Sequence, residues 1–392
     1  MTYKIPFSGR AIDYTEDEIQ TVVTAMKTAD PLTQGKYLKE FEQKFAEYIG
    51  SPKCFAMCNA TAALEICAQL GQFKPGDEVV VPAHTFTSSV YPFVKKGVTP
   101  VWADIDLKTR VVTAETIERC LSPKTKAIIV VHLYGYVADM PSIMALAKKH
   151  NLLVIEDAAQ SIGGSINGKQ SGTFADLAVF SLHSHKNITT LGEGGVLAVN
   201  NEKFVNIIPQ LRHNGHCAFS FERQDYWIPA MGNVDMPQLN GEPVWPNNYC
   251  LGEVECALGT KLLQRLDPIN AQKRRRAISL IDALKSYSEL EFHREDSVRH
   301  NYHLLAGRIT HGKRDDFIRK MATEKSVQCV VQYYPLYRYD FYKKLKLDKA
   351  NCPNTDLFFD NMVSFPFQHR LTDQEFLYLQ EAIKDVLNEL RK

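Results

Sequence analysis

The stretch VIEDAAQSIGG, residues 154–164, opens on an apolar run and stops at Glu156-Asp157 before a small-residue turn. A short β-branched run bounded in this way reads as a buried strand. Packing explains two acidic residues at its carboxyl end poorly, so both are expected to point at a site. A helix N-cap by Asp157 is the plainer alternative.

Working outward, similar runs fall at 78–81, 100–103, 127–132, 152–156, 177–181 and 196–199, separated by helix-like stretches. Continuously apolar strands alternating with helices predict an α/β fold built on a parallel sheet covered on both faces. In such sheets, sites lie at the carboxyl ends of the strands. Ahead of them, residues 14–29 and 38–49 carry apolar residues at helical spacing and form a helical arm, interrupted at Asp30-Pro31 and Gly35. Residues 210–250 are irregular and too long for a passive loop, so a functional excursion is expected there. A charged helix is predicted over about 252–287, then a mixed α+β region ending in a helix over 372–390.

With 392 residues, Lys+Arg 46 and Asp+Glu 45, the net charge of +1 offers no electrostatic footprint for nucleic acid or an anionic membrane. Nine cysteines without a CxxC pair argue against a disulfide framework and favour a reducing, cytoplasmic setting. The first residues lack the apolar core of a secretory signal, and no run is long enough to span a bilayer.

A second polar strand end follows in FSLHSHKNITTLGEGG, 180–195, where a hydroxyl and Lys186 precede a glycine-rich turn. Alone, Lys186 could be a solvated lysine. A third segment, MCNATAALEI at 57–66, opens a helix with small residues whose free N–H groups suit a phosphate. The three together resemble the DegT/StrS family of pyridoxal phosphate (PLP) dependent sugar aminotransferases. The likeness runs from TQGKYLKEFEQKFAEYIG (33–50) to FPFQHRLTDQE (365–375).

The resemblance implies the type I PLP fold: a large domain with a mostly parallel seven-stranded sheet and a smaller C-terminal α+β domain, here drawn as 1–260 and 261–392. It implies that Lys186 holds the cofactor as a Schiff base and moves the proton, that Asp157 faces the pyridine nitrogen, and that Gln160 lies near the phenolic oxygen. It implies that Phe86 in PAHTFTSS stacks on the ring, and that Ser181, Ala60 and Thr61 receive the phosphate. Asn248 in NNYCLGEVECALG matches an asparagine that reaches the neighbouring subunit's phosphate, which requires a homodimer with shared active sites. The expected reaction moves an amino group from L-glutamate, with L-glutamine as the second choice, to the ketone of a nucleotide-linked keto-deoxysugar used in surface polysaccharide or glycan synthesis.

Departures from the family pattern motivate a rival acceptor, a smaller phosphorylated ketone. Cys250 stands where an arginine is usual, which removes a possible bidentate anion contact. Gln332 in VQYYPLY replaces a common histidine. Sugar dehydration is disfavoured, because relatives that dehydrate carry histidine at the position of Lys186. A non-enzymatic PLP-binding regulator lacks any visible DNA-binding module. His183, His185, His213 and His216 come without a matching carboxylate or cysteine set, so no metal is expected. The run Lys273-Arg274-Arg275-Arg276 reads as a solvated helix face.

Overall fold

The computed structural model describes residues 2–220 and 232–391. Its centre is a seven-stranded sheet of β1 (Lys53–Met57), β2 (Glu78–Pro82), β3 (Thr99–Ala103), β4 (Thr125–Val131), β5 (Leu153–Asp157), β6 (Leu177–Ser181) and β7 (Gly195–Val199), in the order β1-β7-β6-β5-β4-β2-β3. The pairs from β3 through β6 are parallel, while β7 runs antiparallel to both β6 and β1. The mostly parallel α/β fold is as expected. The strands are buried along nearly their whole length because helices cover both faces.

The helical arm is present as α1 (Glu16–Thr28) and α2 (Lys36–Ile49). Helix α2 buries Leu38, Phe41, Phe45 and Ile49 at helical spacing. It has no capping side chain of its own. Instead Glu253, 1% exposed, accepts from the N–H groups of Gly35, Tyr37 and Leu38, setting a carboxylate at the positive end of the helix. A Cβ on Gly35 would lie 2.6 Å from that carboxylate, so glycine is needed there.

The charged helix expected over 252–287 is two helices, α5 (Glu253–Leu263) and α6 (Leu266–Leu284), with α3 (Ala60–Leu70) and α4 (Met140–His150) preceding them. Pro268 explains the break: it has no N–H to donate, and its ring opposes the carbonyl four residues back, at Gln264. The basic run also differs from expectation. Lys273 is 3% exposed, Arg276 donates to the Leu371 carbonyl at 2.8 Å, and Arg274 reaches the His300 carbonyl at 3.3 Å. Only Arg275 of the four is exposed. The register of α6 turns Lys273 onto the same face as Ile269, Ala277 and Leu280, which a run of four like charges conceals.

A second core joins α6, the three-stranded antiparallel sheet of β8 (Leu290–Phe292), β9 (Leu305–Ile309) and β10 (Met362–Phe365), α7 (Arg314–Thr323) and α8 (Asp373–Leu390). Ile5, near the start of the chain, is buried in it. Leu336, Tyr342 and Phe358 instead pack into the core of the large sheet, tying the two regions together. Of the irregular excursion expected over 210–250, residues 221–231 lie outside the described residues. The described part contains two short ladders, His216–Cys217 with Asn233–Val234 and Gln238–Leu239 with Glu242–Pro243. Among the described residues no helix is long and apolar enough to cross a membrane.

Candidate active site

At the carboxyl ends of the central strands lies a cavity of about 460 Å³, within the usual range for a small-molecule site. Strand β1 ends just before it and turns into α3. Asn59 caps that helix, accepting from Ala62 N at 2.8 Å, while Ala63 N turns to the Asn59 carbonyl at 3.4 Å. The N–H groups of Ala60 and Thr61 therefore remain as donors at the helix start, on the wall of the cavity. Gly195, at the head of β7, lets that strand pass beneath them. A Cβ there would stand 2.5 Å from Ala60 N.

Strand β5 alternates its side chains, and this separates the two acids. Asp157 lines the cavity and is 5% exposed. Its carboxylate accepts from the Ser89 hydroxyl at 2.6 Å and from Ala159 N at 3.1 Å. Glu156 does not reach the site, contrary to expectation. It is fully buried on the other face, where it accepts from the N–H groups of Gly172, Phe174 and Ala175, each at 2.8 Å, and contacts His132 Nε2 at 2.9 Å. Packing a loop, rather than chemistry, accounts for it.

Lys186 follows β6 and enters the same cavity. Burial of its amine lowers its pKa to about 8, and the nearby Asp157 carboxylate opposes that shift only in part. A sizeable neutral fraction at neutral to mildly basic pH makes it a usable nucleophile. Ser181 ends β6 at the cavity wall, and Phe86 stands at its mouth, 53% exposed, with its ring 5.9 Å from that of Tyr333. Gln160 lines the cavity too, and its amide is already engaged: Oε1 accepts from Tyr134 N at 2.8 Å and Nε2 donates to the Tyr333 hydroxyl at 3.3 Å. Asn248 is the exception. It bridges to His213 and lies away from the cavity of its own chain.

Several residues at or just behind the cavity wall escape a reading of the sequence. His303 and Tyr333 come from the second region, far along the chain, and Ser89 lies within the motif that holds Phe86. His303 is 4% exposed; burial first, and Lys186 next, hold its imidazole neutral. Behind it, the buried Lys273 donates to the His303 carbonyl at 2.9 Å and to Asn187 Oδ1 at 3.2 Å. His183, His185 and Glu193 complete the polar rim, with His183 Nε2 3.7 Å from Glu193. Among the described residues no group of three or more His, Cys, Asp or Glu could hold a metal ion.

A covered lysine with a depressed pKa, a buried carboxylate, a helix start with free N–H groups and an aromatic ring at the mouth fit a planar phosphorylated aldehyde. The class is that of a PLP enzyme of fold type I, and the chain belongs to the DegT/DnrJ/EryC1/StrS aminotransferase family, whose model matches residues 13–384. PLP is its cofactor and amino transfer its reaction. The chain is 36% identical over 259 residues to the GDP-perosamine synthase of Caulobacter vibrioides, covering 66% of this chain and 65% of that one. It is 33% identical over 311 residues to the L-glutamine:2-deoxy-scyllo-inosose aminotransferase of Streptomyces lividus, covering 78% of this chain and 71% of the relative. The Streptococcus pneumoniae protein Spr1654, solved in its PLP form, superposes with a TM-score of 0.82 at 28% identity over 98% of this chain and 99% of its own.

Proposed function

We propose that the protein transfers an amino group from L-glutamate to the ketone of a nucleotide-linked keto-deoxysugar, for a surface polysaccharide or glycan. The observation that carries this reading is the Lys186 amine, lowered to about 8, in one cavity with the Asp157 carboxylate. Bound PLP supplies an electron sink for the carbanion that forms at the amino donor's α-carbon. Lys186 would hold the cofactor covalently and, once displaced, carry the proton to and from that carbon. Asp157, fixed by Ser89 and Ala159, would keep the pyridine nitrogen protonated. Ala60, Thr61 and Ser181 would bind the phosphate, Phe86 would cover the ring, and Gln160 would lie near its phenolic oxygen. Asn248, which does not line the cavity of its own chain, would serve the partner's site in a homodimer with shared active sites.

The name of the Caulobacter relative supports a nucleotide sugar. The polar rim of His183, His185, Glu193 and Gln332 suits a hydroxylated acceptor. A second reading, a smaller ketone, phosphorylated or not, as acceptor, is favoured by Cys250, whose thiol donates to the Arg212 carbonyl at 3.6 Å where the family's arginine would offer a charge. The name of the Streptomyces relative, with its cyclitol ketone and glutamine donor, points the same way. Adding L-glutamate to the yellow holoenzyme should bleach it. A panel of nucleotide keto sugars, cyclitol ketones and phosphorylated ketones, read by mass spectrometry, then identifies the acceptor. Bleaching without amination of any nucleotide sugar would leave the second reading in place of the first.

A further inference from the structure

We infer that the protein binds a monovalent anion of halide size in a small cavity behind the active site, held by the guanidinium of Arg110. The cavity leaves about 10 Å³ to the centre of a water-sized sphere, room for one water molecule or one monatomic ion. It lies between the loop after β3, the turn at 134–136 and the segment 293–306. Arg110, Tyr136, His293 and His300 supply its polar wall together with Thr109, Tyr134 and Tyr302, and among the described residues no carboxylate lines it.

Arg110 is 5% exposed. Its Nη2 donates to the Glu291 carbonyl at 3.4 Å, its guanidinium lies 5.0 Å over the Phe358 ring, and its Nε has no partner among the described residues. A carbonyl dipole and a ring face offset only part of a full buried charge, which demands an opposite charge in contact. The carboxylates that act on it through space, Glu291 and Asp106, are engaged elsewhere. Glu291 receives Arg308, at 3.1 Å from Nε. Asp106 accepts from Lys108 N, Thr109 N and the Thr109 hydroxyl.

The neighbouring histidines cannot supply negative charge. His300 Nδ1 accepts from Tyr302 N at 3.1 Å, so in the neutral ring the hydrogen sits on Nε2, which makes that nitrogen a donor. His293 and Arg110 are donors by type as well. A water molecule would bring only a dipole to this set of donors, whereas a halide neutralises the guanidinium. The small volume excludes phosphate or sulfate.

The site bears on the reaction through shared walls. Leu304 lines both this cavity and the active-site cavity. Tyr134, another wall residue, donates to the carbonyl of Gln332, which faces the active site. An anion on Arg110 thus braces the side of the pocket built by the second region.

Crystals of the PLP-bound protein grown with bromide in place of chloride should give an anomalous peak beside Arg110 Nε. Thermal unfolding of the holoenzyme in about 0.2 M chloride should give a Tm roughly 1–3 °C above that in gluconate of equal ionic strength. Arg110→Met should abolish both the peak and the difference. Should that variant fail to fold, the wild-type measurements decide alone: no bromide peak together with equal Tm values in the two salts overturns the inference. Neither readout depends on the acceptor or on turnover.

Discussion

The Ser89 hydroxyl donates to Asp157 Oδ2 across 2.6 Å, linking the loop after β2 to the end of β5 beneath the active-site cavity. A hydrogen bond to a buried carboxylate both orients it and stabilises its ionised form. Ser89→Ala should therefore slow the glutamate half-reaction roughly 10- to 100-fold, the scale of a hydrogen bond to a charged group. Single-turnover bleaching of the holoenzyme measures this. An unchanged rate would separate Ser89 from the function proposed for Asp157.

Lys186→Ala should leave the fold intact, bind PLP without a covalent link and lose turnover by several orders of magnitude. Borohydride reduction followed by peptide mass analysis should find the cofactor on Lys186 in the wild type and nowhere in the variant. In the cofactor-free protein, acylation of Lys186 should reach half its maximal rate near pH 8, because the reactive form is the neutral amine and burial lowers its pKa to about that value. A midpoint near that of an ordinary lysine would contradict the buried setting.

Much of this architecture is legible in the sequence because parallel strands are apolar throughout and stop abruptly at polar residues, as at Asp157 and Ser181. Strand β1, KCFAM, is not, since it is an antiparallel edge strand that begins on a lysine and carries small residues. The function of Glu156 is hidden because one step along a strand reverses the face. His303 and Tyr333 reach the site only through contacts between distant parts of the chain, which no local pattern encodes, and Ser89, although inside PAHTFTSS, meets Asp157 only across the fold. The burial of Lys273 is masked by the three arginines that follow it.

Lys273 supplies a pH test of that burial. With no carboxylate in contact among the described residues, burial alone lowers its pKa to about 7, against an ordinary value of 10.5. Between those values the unfolded chain binds a proton that the folded one does not, so stability rises with pH across about 7 to 10.5. Lys273→Met removes the buried charge and keeps most of the volume. It should unfold at a higher Tm than the wild type at pH 7, with the gap closing toward pH 10. Its loss of the bonds to Asn187 and the His303 carbonyl should also slow turnover, an effect that titrates with neither salt nor substrate. A wild type more stable than the variant at pH 7 would mean that the ammonium is paired or solvated.

Acid should weaken the seam between the two cores for a related reason. His84, 1% exposed, is held to about 3, and His293, 8% exposed, to about 4, in each case by burial first and Arg110 second. Both are neutral in the folded protein while the unfolded chain protonates them near 6.5, so the unfolded state binds the extra protons and stability falls as pH drops from about 6.5 to 4. At about 1.4 kcal/mol per pKa unit, the two together withdraw on the order of several kcal/mol over that window. Carboxylates titrate at its lower end, so the decisive comparison is with His293→Gln, which keeps a polar side chain of similar size without the titration. Its stability should fall less steeply between pH 6.5 and 4.5, by nearly one proton in the slope of unfolding free energy against pH. Parallel curves for wild type and variant in urea titrations at each pH would show that His293 ionises freely and that Arg110 exerts no hold on it.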